Sequence, residues 1–180
     1  MSVRKGDREQ GKLEVIDASR LLLDYTYDRV KDRDIFPKTE RWLLPKSIFD
    51  SAVGARSCII GANGIRVEST EEAHDRLLKE KQAIGYLESL EALIDLCHAK
   101  EIIDDKRAYY WTGLVIATMN PLKGWLKSER RRYKEFLNGE QDKILSEISA
   151  ALKRIEDMLD KHDDIDVDVI EEITDEEIVF

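Results

Sequence analysis

Six cations fall between positions 123 and 134: Lys123, Lys127, Arg130, Arg131, Arg132 and Lys134. Guanidinium groups offer paired donors to phosphate oxygens, and clustered Lys and Arg bind phosphate backbones by releasing condensed counterions. Cations at the end of a helix also complement its dipole, but that role accounts for one or two of them, not three consecutive arginines with Lys127 and Lys134 beside them. Lys38, Arg41 and Lys46 extend the patch from the end of helix two if the segments fold as a bundle. Nucleic-acid contact is the functional reading of these nine positions. A plain solvated surface, or a seat for the acidic tail of the same chain, is the alternative.

Other chemistry finds little support. His74, His98 and His162 are scattered, and Cys97 and His98 diverge on a helix, so no metal site is expected. Asp163, Asp164, Asp166 and Asp168 lack the turn glycine and closing glutamate of a calcium loop. Glu88 with Glu91, and Glu71 with Asp75, read as solvated helix faces. Gly61-Ala62-Asn63-Gly64 reads as a helix-ending turn, and the chain has no phosphate-binding loop or dinucleotide fingerprint. No catalytic residue and no cofactor is assigned, and the chain is not expected to be an enzyme.

The elements that must position these residues are helical. Residues 1–12 are polar and read as a loose N-terminus. A first helix is expected over about Leu13–Arg33, where Val15, Ile16, Leu22, Leu23 and Val30 give an apolar stripe of helical period. Pro37 stops it, and Phe36 is expected to plug the bundle. Pro45 suits the first position of a second helix, whose stripe is rich in small residues and ends near Asn63 or Gly64. Ser69 with Glu72 forms a capping-box pattern opening a third helix that runs to about Lys100. Asp104 or Asp105 caps a fourth, which Pro121 is expected to bend or split.

Four amphipathic segments with short connections argue for an all-α, up-down-up-down four-helix bundle over residues 13–134. After Asn138-Gly139 a fifth amphipathic helix is expected over 140–162, with Ile144, Leu145, Ile148, Leu152, Ile155 and Leu159 at coiled-coil-like spacing. It suits packing on its own bundle, zipping with a neighbouring subunit, or holding another protein. Residues 163–180 read as a disordered acidic tail, in which Ile165, Val167 and Val169 alternate with acids and suit strand addition to a partner edge.

Charge divides the chain of 180 residues. Residues 135–180 hold 16 Asp/Glu against 4 Lys/Arg, a net of −12, which leaves the body at +3 and the whole at −9. Such asymmetry suggests an interaction role for one or both regions. Cys58 and Cys97 have neither metal-site spacing nor enough company for a disulfide framework, which suits a reducing cytoplasm. No stretch approaches the roughly 20 apolar residues of a membrane span, and no membrane partner is expected.

Gly124-Trp125-Leu126-Lys127-Ser128, and Phe36-Pro37-Lys38 followed by Arg41, set in this helix pattern, resemble the four-helix-bundle family of accessory variability determinant proteins from diversity-generating retroelements. The wider relatives of that family are intervening-sequence proteins encoded within ribosomal RNA genes. The resemblance covers about Leu13 to Ser128. It implies a homopentameric barrel whose basic surface engages nucleic acid, RNA foremost, and the retroelement's reverse transcriptase. Lys38, Arg41 and Lys127 are its family-motif positions, with Phe36 and Trp125 structural. The alternative from a different class is an oligomeric scaffold whose fifth helix and acidic tail recruit proteins without touching nucleic acid.

The acidic extension after Tyr133 lies outside the family pattern and is suited to occupy the basic positions until RNA displaces it. Deleting residues 135–180 is therefore expected to tighten RNA binding in a filter-binding or anisotropy titration; equal affinity of the two forms would remove the tail as a competitor.

Overall fold

Local signals open three of the helices of the body. The computed structural model describes residues 5–36 and 43–163, with helices α1 (Lys5–Lys31), α2 (Leu44–Gly64), α3 (Thr70–Ala99), α4 (Asp105–Arg132) and α5 (Lys134–Asp163). Pro45 stands in the first turn of α2, where its missing N–H leaves no bond unmade. Ser69 and Glu72 form the expected capping box on α3: Ser69 Oγ accepts from Glu72 N at 3.2 Å, and Glu72 Oε2 accepts from Ser69 N at 2.9 Å. Asp104 Oδ1 accepts from Arg107 N at 2.7 Å to start α4. Each bond satisfies one of the amides that a helix N-terminus leaves unpaired. Glu101, at φ 58°, carries the chain out of α3 in the left-handed region.

Residues through Lys134 make one unit in which α1 packs on α2 and α4, and α3 packs on α2 and α4. Neighbours run antiparallel, as cross-helix pairs show. Lys12 near the start of α1 meets Glu129 near the end of α4, whereas Thr26 near the end of α1 meets Trp111 near the start of α4. Arg56 of α2 donates to Ser19 Oγ at 3.0 Å, and Tyr27 packs on Phe49. The result is the expected up-down-up-down bundle.

Its interior holds Leu22, Ile48, Ile59, Leu87, Leu90, Ile94, Trp111 and Leu122, all buried. Phe36 is fully buried as well, so the plug expected from sequence is in place. Trp111 Nε1 donates to Thr26 Oγ1 at 3.0 Å, giving the one polar atom of a buried indole its partner. The small residues of α2 permit close approach to α3. A Cβ at Gly54 would lie 2.7 Å from the Tyr86 ring, a separation no real side chain adopts.

Three boundaries differ from the sequence reading. α1 begins at Lys5 rather than near Leu13; Glu9 and Gln10 are good helix formers without an apolar stripe, so periodicity does not register them. α4 runs unbroken through Pro121. The carbonyl deprived of its amide partner belongs to Ala117, an exposed position where solvent can satisfy it. α5 starts at Lys134, directly after Tyr133, so Asn138-Gly139 lie inside a helix and not before one. A single glycine costs only about 1 kcal/mol relative to alanine, which a helix of this length carries.

The second unit comprises residues from Glu135 onward. Its described side chains from Lys143 to Leu159 are all exposed, the apolar ones included. Residues 164–180, with the proposed tail strand, lie outside the described residues. No helix among the described residues is long and apolar enough to cross a membrane.

The Thr26–Trp111 bond supplies a direct test of how α1 and α4 register. Thr26→Val keeps the volume and removes the acceptor, leaving a buried indole N–H unpaired, which costs about 1–3 kcal/mol. A urea midpoint lower by a corresponding amount is expected; an unchanged midpoint would show that the bond contributes nothing.

Candidate nucleic-acid interface

The segment from Gly124 to Tyr133 has two chemically opposed faces. Trp125, Glu129 and Tyr133 recur every four residues and all point inward, with only 4–6% of each exposed. The cations between them are left to face outward.

Glu129 organises the inward face. Its Oε1 accepts from Trp125 Nε1 at 3.3 Å, and the Tyr133 hydroxyl donates to the same carboxylate. Three cations from three helices surround it: Lys12 of α1 at 3.7 Å, Arg76 of α3 at 3.6 Å and Arg132 of α4 at 3.8 Å. Lys12 and Arg76 also lie over the Trp125 ring, 5.4 and 5.5 Å from its centroid. An indole face attracts both cations. Arg76 Nη1 donates to the Ile65 carbonyl at 3.0 Å, tying this cluster to the end of α2.

Glu80, fully buried one turn after Arg76, is the unusual member. Its Oε1 lies 3.8 Å from Arg76 Nε, and neither of its oxygens has a hydrogen-bond partner among the described residues. Burial, reinforced by the charge of Glu129, pushes its pKa up to about 8, so it is mostly protonated at neutral pH. Glu129 goes the other way. Burial alone would raise it, but the Tyr133 hydroxyl, Arg76 and Lys12 outweigh that and hold it below the ordinary carboxylate range. Tyr133 is pushed up to about 12 by burial and by its bond to the Glu129 carboxylate. Burial and the repulsion of Arg76 lower Lys12.

On the outward face every cation expected from sequence is exposed. Lys123 pairs with Glu88 at 3.6 Å, and Arg132 divides its charge between Glu129 and the Tyr133 ring. Lys127, Arg130, Arg131 and Lys134 form no ion pair within 4 Å with any described side chain, a set that excludes those of residues 135–137 and 140–142. These four are the charges available to a phosphate.

Lys46 does not join them. It is exposed at the start of α2, not its end, and pairs with Asp50. That is the opposite end of the bundle, roughly 27 Å away along the α1 axis at 1.5 Å per residue from Lys12 to Val30. The antiparallel order dictates this separation, so the expected extension of the patch does not include Lys46. Around it, Tyr27, Lys31, Arg33 and Phe49 line a separate open groove of about 450 Å³. Lys38 and Arg41 lie outside the described residues.

The sequence reading passed over Lys12, Arg76, Glu80 and Glu129. A signal for two of them was present. Arg76 and Glu80 occupy positions within the buried row of α3 that also carries Ala73, Leu77, Ala83 and Leu87, where an apolar residue would be the default. Among the described residues, no three His, Cys, Asp or Glu side chains converge as metal ligands.

Comparison with protein-family models, with curated proteins and with solved structures finds no match to this chain.

Glu80 gives the bundle a pH dependence with a definite sign. Between its unfolded value of 4.5 and its folded value of about 8, the folded state holds a proton that the unfolded state has released. Stability is therefore fully present below pH 4.5 and declines as pH rises through 8. Glu80→Gln cannot ionise, so its melting temperature is expected to exceed that of the wild type by several degrees at pH 8 and to match it near pH 5. Parallel melting curves across pH 5–8 would show that Glu80 does not titrate in that window.

Proposed function

We propose that the protein is a non-catalytic accessory protein that binds nucleic acid, RNA foremost, and acts in the cytoplasm with the reverse transcriptase of a diversity-generating retroelement. The resemblance of Gly124–Ser128 and Phe36–Lys38 supplies the system and the expectation of a homo-oligomer. One observation carries the binding part of the reading. Lys127, Arg130 and Arg131 in the last turns of α4, and Lys134 at the start of α5, stand exposed with no ion pair to any described side chain. Unpaired surface cations lose no internal partner when they meet phosphate, so counterion release adds directly to affinity.

The rigid base beneath these cations supports the reading further. Trp125 and Tyr133 anchor the helix, which fixes the spacing of the outward charges and limits the entropy lost when a phosphate chain is bound. Lys127 belongs both to this row and to the motif that carries the resemblance.

A second reading, a scaffold that binds proteins alone, draws on a different surface. An open groove of about 650 Å³ at the start of α4 is lined by His98, Tyr109, Tyr110 and Ile116, with Tyr109 85% exposed. Aromatic side chains presented this way are common anchors for protein partners.

Titration with a structured RNA across a salt series separates the two. Replacing Lys127, Arg130 and Arg131 together by Glu is expected to weaken binding at least tenfold and to reduce the log–log salt slope by about 2, at ~0.7 per lost contact. Lys46→Glu, at the other end, is expected to change both far less. Wild-type protein that ignores RNA at every salt concentration would overturn the proposal and leave the scaffold reading.

A further inference from the structure

The seam of α5 has the register of a coiled coil. Leu145, Leu152 and Leu159 are seven residues apart at one position of a heptad, a, and Ile148 and Ile155 take the other seam position, d. All five are exposed, about half of each side chain or more. Ile144, Ala151 and Met158 flank the row at position g, so the apolar stripe is wider than a two-stranded seam requires. A helix that presents such a stripe gains most of its stability by covering it.

We propose that α5 joins copies of this chain into a parallel coiled coil of three or four strands. The occupant follows from the residue types at a and d. Leucine at a with isoleucine at d favours three or four strands, because the β-branched side chain fits poorly into the d-layer geometry of a dimer. The apolar g positions give the extra width that a larger bundle buries. In a parallel, in-register assembly every layer meets its own kind, leucine with leucine and isoleucine with isoleucine. Asn138 falls at a one heptad earlier, where a polar side chain meeting its own copies holds register.

Charge permits identical copies to approach. Between 143 and 159 the cations Lys143, Lys153 and Arg154 balance the carboxylates Glu147, Glu156 and Asp157, although the chain as a whole is at −9. All six lie off the a and d rows. Over the whole helix Lys134–Asp163 five cations meet eight carboxylates, a net of −3, so the balance is confined to these central turns, which carry the apolar seam. The inference rests on α5 alone and is independent of nucleic-acid binding by the body.

The test is the mass of the full chain in solution by sedimentation equilibrium. The wild type is expected at three or four times the chain mass of 20.8 kDa. Exchanging the two seam types, with Leu145, Leu152 and Leu159 changed to Ile and Ile148 and Ile155 changed to Leu, keeps composition and apolarity. It is expected to lower the mass to two chains, the preference of isoleucine at a with leucine at d. Leu152→Glu is expected to lower it further, with the helical signal of the bundle retained. A monomeric wild type, or variants that keep the wild-type mass, would overturn the proposal; in the second case another surface or a different protein takes the seam.

Discussion

Glu129 is a carboxylate buried among helices, and its need for compensating charge constrains much of the body. An ion taken out of water is strongly destabilising unless opposite charge and hydrogen bonds replace its hydration. The compensation here comes from every side: Lys12 on α1, Arg76 on α3, Trp125 on α4 itself and Tyr133 just after it. Those partners can converge only if α1, α3 and α4 hold one axial register. Arg76 then reaches the Ile65 carbonyl, so the end of α2 is bound into the same arrangement. The ion pairs to Glu129, at 3.6–3.8 Å, are longer than hydrogen bonds, and their convergence favours this register over others.

The outward chemistry follows from that inward constraint. Fixing Trp125 and Glu129 toward the core fixes the rotation of α4, and the helical period then sends Lys127, Arg130 and Arg131 to solvent. Glu80 belongs to the same balance. Two buried carboxylates beside Arg76 and Lys12 need not both ionise; Glu129 has the better hydrogen bonds and keeps its charge, so Glu80 holds the proton. This leaves the end of the bundle with more positive charge than a count of its acidic and basic residues suggests.

Much of this fold was legible in the sequence, for physical reasons that particular residues make plain. Ser69 with Glu72, Asp104 and Pro45 act through their own backbone neighbourhood, so their caps can be read without knowing the fold. Leu22, Leu87 and Trp111 obey helical periodicity and are buried as expected. Features that depend on distant neighbours were harder to read. Whether Pro121 breaks α4 depends on the exposure of Ala117, and whether Glu129 is buried depends on cations from α1 and α3. The separation of Lys46 from Arg130 was deducible from topology, since an antiparallel four-helix order puts the α1–α2 connection and the end of α4 at opposite poles. Local reading of charge clusters does not supply that step.

A net of +3 on the body is modest for the proposed binding of nucleic acid, and the proposed assembly changes how that figure would act. Each copy presents its own row of exposed cations that pair with no described side chain. In the proposed α5 assembly three or four rows are tethered together, so once one row is bound the next meets the same strand at an effective concentration set by the tether. Affinity then grows with the number of rows engaged, without added charge on any one chain. Salt response grows in step, because each further phosphate neutralised releases another counterion. Deleting residues 135–180 removes this tether together with the competing carboxylates, so the two effects oppose each other in that variant. A strand long enough to reach several rows at once gains most from the tethering, and a short one gains little. On these two proposals, weak rows on a multivalent frame would discriminate by length and accessibility of the strand more than by its sequence.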